Sequence, residues 1–159
     1  TEIKIMPQPV VITLNVTNAE TLFNLVNPTQ AQIEALCILS DDNSGSSPNN
    51  NIEDFTSTVF INNNVKWQGT TDTPPRDGYT VAINSIVYEP DSNDPTDVNF
   101  FDTLASSGGR SANVNGNVRN DEVLRGKHDV YTINFSVYNS GNNFKPFHID
   151  PKLRVDPLS

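Results

Sequence analysis

Nucleophilic catalysis needs a hydroxyl or thiol beside a base that a third group holds in place. In this sequence His128 and His148 are the only imidazoles, and no serine stands in a Gly-x-Ser-x-Gly turn. A hydrolase therefore has no constellation to work with, and we expect no catalytic residue and no enzyme. Copper-binding sandwiches offer a second comparison, since their sites combine two His, a Cys and a weak Met ligand. Here Cys37 lies far upstream of both histidines and Met6 stands near the start, so the C-terminal Cys-His-Met cluster is missing. His148, between Phe147 and Ile149, reads as an outward side chain on the last strands rather than as a ligand.

The segment Asp91-Ser92-Asn93-Asp94-Pro95-Thr96-Asp97 is the one place where a cation site can be written down. Calcium takes several carboxylate and carbonyl oxygens from a flexible loop. Asp91, Asn93, Asp94 and Asp97 are the candidate ligands, and calcium is the only cofactor the sequence leaves open. The run lacks the glycine and the distant glutamate of a helix-loop-helix calcium loop, and Asx and Pro are ordinary loop residues, so a plain acidic loop is the favoured reading. Trp67 is the candidate ligand-binding aromatic, as a platform on which a sugar ring stacks. A lone Trp on an alternating strand is more often core. Cys37, in Ala35-Leu36-Cys37-Ile38-Leu39, reads as a small buried hydrophobe, and a single cysteine excludes an internal disulfide.

Any such site would have to be carried by strands. Tyr131, Ile133, Phe135 and Val137 alternate with Thr132, Asn134, Ser136 and Tyr138, which marks a strand with one buried face. Ser140-Gly141-Asn142-Asn143 turns it into Phe144, Phe147 and Ile149, a closing hairpin, and the chain then runs through residues 150–155. Upstream, Val11-Ile12-Thr13-Leu14-Asn15-Val16 alternates cleanly. Segments 19–26 and 30–39 mix periods; residues 32–36 suit a short helix as well as a strand, and we read 30–39 as a strand. Segment 41–54 is a loop by composition. Strands are expected at 57–61 and 65–68, around the Asn62-Asn63-Asn64 turn. Pro74-Pro75-Arg76-Asp77-Gly78 is a turn signal, and residues 79–88, apolar on both parities, read as a central strand buried on both faces. Ala112, Val114, Gly116 and Val118 alternate with Asn113, Asn115 and Asn117, giving a strand with an asparagine-lined outer face. With about eight strands, turn signals between them and no βα repeat, the fold class is all-β, an antiparallel β-sandwich of immunoglobulin-like type without the Cys-Trp-Cys framework of antibody domains.

Composition bounds the rest. At 159 residues the chain fits a single domain spanning 1–159, large enough to bury roughly 70% of its unfolded surface. Only 35% of residues are hydrophobic, and 22 asparagines with many threonines and serines make up the difference, which points to long loops and wet sheet faces. The formal charge of -9, with no basic cluster, argues against nucleic acid and anionic membranes as partners. No window holds eighteen consecutive apolar residues, so no membrane insertion is expected, and Thr1-Glu2-Ile3-Lys4-Ile5 lacks the apolar core of a signal peptide. Asn15-Val16-Thr17 and Asn134-Phe135-Ser136 are formal glycosylation acceptors lying within expected strands.

The order of features, Val10 through Leu22 (VVITLNVTNAETL), Asn27-Pro28-Thr29, Val65-Lys66-Trp67, residues 79–88, and Tyr131-Thr132-Ile133-Asn134-Phe135 ahead of Asp150-Pro151, resembles the PixA/AidA-type inclusion-body proteins of bacteria. The resemblance spans most of the chain. It departs in its Val-Lys-Trp strand, in the acidic 91–97 loop and in a basic tail at Lys152 and Arg154. What it implies is a β-sandwich that accumulates in cytoplasmic inclusions, with sugar binding among relatives and no ligand-contact motif that maps onto named residues here. A secreted or cell-surface location stays open. The functional expectation is a non-catalytic, self-associating structural protein, a homo-oligomer or higher assembly. Low lysine content leaves sheet edges little protected, and the surfaces expected between subunits are residues 111–119 and the terminal segments 1–9 and 152–159. The alternative is a lectin whose acidic and Asn-rich loops bind glycans.

Overall fold

The computed structural model describes residues 6–43, 45–46 and 51–157, and what the sequence leads one to expect of residues 1–5, 44, 47–50 and 158–159 lies outside them. Along the chain come β1 (Val10–Val16), α1 (Ala19–Asn24), α2 (Gln30–Glu34), β2 (Cys37–Asp41), β3 (Gly45–Ser46), β4 (Thr56–Val59), β5 (Asn64–Thr71), β6 (Thr80–Tyr88), β7 (Ala105–Ser106), β8 (Val114–Asn117), β9 (His128–Tyr138), β10 (Phe144–Ile149) and β11 (Lys152–Val155).

The first sheet has the order β3-β2-β1-β5-β8-β7. The second is organised by β9, the longest strand. β6 pairs along one edge of it, while β10 and β11 share the other, and β4 pairs outside β11. Alternation along the strands decides which side chains go in. Val10, Ile12, Leu14 and Val16 of β1 are buried while Val11, Thr13 and Asn15 are not, and β9 contributes Tyr131, Ile133, Phe135 and Val137 from the facing sheet. These inner faces form one core, in which Trp67, Tyr131, Phe60, Phe100 and Phe135 are the largest buried rings. Fully burying such a side chain is worth roughly 1.5–3 kcal/mol, so the inward set dominates the stability.

Several expectations are corrected. The sheets are mixed rather than antiparallel, because β1 pairs parallel with β5 and β4 pairs parallel with β11. The strand order does not bear out an immunoglobulin-like arrangement, and eleven strands rather than about eight occur among the described residues. Parallel neighbours need a long connection. Here the chain leaves the first sheet after β3, places β4 in the second and returns as β5, so the strands flanking the Asn62 turn are not a hairpin but a crossing between sheets. The turn itself is present, with Asn62 at φ 60° and the Asn63 amide bonded to the Phe60 carbonyl at 3.1 Å.

Segment 30–39 divides into a helix and a strand. A reciprocal cap starts α2: the Gln32 amide donates to Thr29 Oγ1 at 3.2 Å and the Thr29 amide donates to Gln32 Oε1 at 2.8 Å. Only from Cys37 does the chain take up β pairing, against β1. Asn18 caps α1 in the same manner, accepting from the Thr21 amide at 3.0 Å. Strand β6 is an edge rather than a central strand. It pairs only with β9 among the described residues, and burial is confined to Val81, Ala82 and Ile83. At this corner the two sheets nearly touch, since a Cβ on Gly69 of β5 would lie 2.5 Å from the Val81 carbonyl oxygen.

Candidate functional site

The 91–97 loop folds its own acceptors inward. Asp97, 8% exposed, accepts the Asp91 amide on Oδ2 at 2.6 Å and the Val130 amide of β9 on Oδ1 at 3.0 Å. Asp91 Oδ1 accepts the Asn93 amide at 3.0 Å, and Asp94 Oδ1 accepts both the hydroxyl and the amide of Thr96, at 2.6 and 2.9 Å. Those two bonds, the hydroxyl first, hold the Asp94 carboxyl below its usual range. Each aspartate thus closes an Asx-type turn or ties the loop to the sheet. Among the described residues no three His, Cys, Asp or Glu side chains come together as a metal site. Beside the loop, Asp91, Asp94, His128, Val130 and Lys152 line a groove of about 350 Å³.

Trp67 is 1% exposed and offers no face to a sugar in solvent. Its indole Nε1 donates to Tyr131 Oη at 3.0 Å, and its ring meets Phe101 and Tyr131 edge to face, at 5.6 Å in both cases. Cys37 is fully buried, and burial, with the Glu34 carboxylate adding to it, pushes the thiol up to about 12. His148 is exposed, and its backbone carbonyl accepts from Gln30 Nε2 at 2.6 Å.

One buried acid escapes a motif search. Asp129 of β9 is 1% exposed; Oδ2 accepts the Phe100 amide at 2.8 Å, and Oδ1 has no hydrogen-bond partner. Burial pushes its carboxyl up to about 7, against the lowering effect of the Phe100 amide and with the Asp97 charge raising it further. The signal in the sequence was its phase, since Asp129 falls on the same inward parity as Tyr131, Ile133 and Phe135.

The outer face of the first sheet is a further feature that the sequence reading located only in part. β1 turns Val11, Thr13 and Asn15 outward, and β2 adds Ile38 and Ser40. β5 contributes Asn64, Lys66, Gln68 and Thr70, and β8 contributes Asn115 and Asn117. The strands lie side by side in register, with Lys66 opposite Val11 on one side and Asn115 on the other. Hydrogen bonds run between neighbouring strands: Gln68 Nε2 to Thr13 Oγ1 at 3.2 Å, Thr70 Oγ1 to Asn15 Oδ1 at 3.0 Å, and Asn64 Nδ2 to Asn117 Oδ1 at 3.2 Å. In a chain of charge -9, these four strands point a single ionised group outward, and it is a lysine. Acids stand at its margins, Asp42 beside Val11, Asp72 beside Val16 and Asp102 along β8. Along the β8 margin a groove of about 430 Å³ brings Asn62, Asn64, Asn115 and Asn117 together with Asp102 and Arg119. The signal was a period-two series of outward residues in four separate strands, uncharged but for Lys66, of which only the 113–117 series is dense enough in asparagine to be noticed alone.

No protein-family model matches the sequence, and no curated protein matches it. Among solved structures the chain is similar to an inclusion body protein, PixA, from Burkholderia cenocepacia. The TM-score is 0.52 at 7% identity, and the superposition covers 98% of this chain and 99% of that one. The resemblance read from the residues is therefore borne out, as a likeness of fold that runs from end to end.

Proposed function

We propose that this protein is a non-catalytic structural protein whose copies associate into ordered inclusions in the cytoplasm. The observation that carries the reading is the likeness of fold to an inclusion body protein over 98% of this chain and 99% of that one. Support of a different kind comes from the outer face of the first sheet, which lacks the like charges that would otherwise hold copies of a -9 chain apart. Expression in a bacterial host followed by thin-section electron microscopy, with light scattering on purified protein, tests it. Ordered bodies in cells and concentration-dependent particles in solution are expected. A strictly monomeric species at high concentration, with diffuse distribution in cells, would overturn the reading.

A further inference from the structure

We propose that the outer face of the first sheet is the surface on which a second copy of this chain docks, the same face of each copy meeting across a two-fold axis; this rests on the self-association proposed above. The argument begins with charge. Two chains of -9 repel on approach, and the repulsion is least where each presents no carboxylate. β1, β2, β5 and β8 form such a surface, with Lys66 as the one ionised side chain these strands point outward and with Asp42, Asp72 and Asp102 at its margins.

The second step is chemical. A two-fold interface must be complementary to itself. Carboxamides and hydroxyls satisfy this without a preset partner, because each carries both a donor and an acceptor. Within the chain Asn15 and Asn115 use Oδ1, accepting from Thr70 and Asn64, and among the described residues no hydrogen bond engages the Nδ2 of either. Along a strand outward residues recur every ~6.6–6.8 Å, so amides on successive outward positions meet those of a facing sheet in series.

The test uses the full chain and two double variants of equal charge. Asn15→Asp with Asn115→Asp keeps both intrachain acceptors but removes the free donors and places carboxylates on the face. Asn93→Asp with Asn142→Asp adds the same charge on exposed loops. By sedimentation, the face variant is expected to need at least a tenfold higher concentration to associate, and the loop variant to stay within twofold of wild type. In assembled wild-type protein, acylation of Lys66 should slow at least tenfold relative to the dispersed chain, while the exposed Lys145 keeps its rate. Equal association of wild type and face variant, equal weakening of both variants, or unchanged Lys66 reactivity would each overturn this docking surface and leave self-association standing. A wild type that never associates overturns self-association itself.

Discussion

Trp67 and Tyr131 face each other across the core from opposite sheets, the indole N–H donating to the phenolic oxygen at 3.0 Å and the rings lying edge to face. Both are 1% exposed, so neither polar atom has water as an alternative. This bond joins β5 to β9, and burial pushes the phenol above its ordinary range.

Tyr131→Phe leaves the indole N–H unpaired in an apolar interior and should lower stability by about 1–3 kcal/mol. Urea unfolding followed by the emission of the only tryptophan reads this directly, because Trp67 passes from core to solvent. A loss below about 0.5 kcal/mol would mean that the bond contributes nothing beyond the ring contact.

Asp129 makes stability depend on pH in the direction opposite to that of most carboxylates. With its pKa at about 7 in the fold against an ordinary 3.8, the folded chain holds the proton more tightly than the unfolded one. Stability should therefore fall as pH rises from about 4 to 7 and level off above, by at most roughly 4 kcal/mol. Asn at this position removes the group that titrates. Urea midpoints measured from pH 4 to 8 should slope downward in wild type and lose most of that slope in Asp129→Asn. Parallel curves for the two proteins would refute the assignment.

Calcium should leave the fold unaffected, since the 91–97 carboxylates already accept amides and a hydroxyl. Millimolar calcium or a chelator is expected to move the melting temperature by less than about 1 °C, whereas a bound ligand in excess would add several kcal/mol of stability. Asp97→Ala, by contrast, strands two amides and should cost about 2 kcal/mol. A melting temperature that climbs several degrees with calcium would restore the loop as a cation site.

Gly69→Ala places a methyl 2.5 Å from the Val81 carbonyl oxygen, where the two sheets approach most closely. Backbone must shift to admit it, at about 1–3 kcal/mol. Thermal unfolding measures the loss, and a neutral result would mean that β6, as an edge strand, yields freely.

Cys37 should resist thiol reagents in the native chain, because burial keeps it a neutral thiol far above physiological pH. Alkylation is expected only under unfolding conditions; labelling at the native rate of an exposed cysteine would show that β2 opens.

Strands were legible where one parity is apolar and the other polar, as in β1 and β9, because burial on one side imposes that period. Pairing direction was not legible. β1 and β5 carry the same alternation whether they run parallel or antiparallel, and only the crossing of the chain through β4 decides it. Helix α2 was hidden by its length, since five residues are too few to display a helical period. Its cap, Thr29 with Gln32, was nonetheless present in the sequence. Trp67 illustrates the limit for sites: its alternating strand indicated burial, and the choice between core and platform fell to the ring packing of Phe101 and Tyr131. The uncharged outer face is a property of four strands at once, invisible to any window along the chain.

The parallel partnership of β4 with β11 carries a consequence for biosynthesis. Thr58 is matched to Arg154, so β4 must wait for every residue between them to be made before its neighbour exists. Throughout translation the apolar Val59 and Phe60 have no sheet to join, while β1 and β2, close in sequence, can already pair. Nascent chains on one messenger therefore share a vulnerable interval in which a neighbour's strand can substitute for their own. The interval closes when β11 emerges, and that moment separates pairing within one molecule from pairing between two.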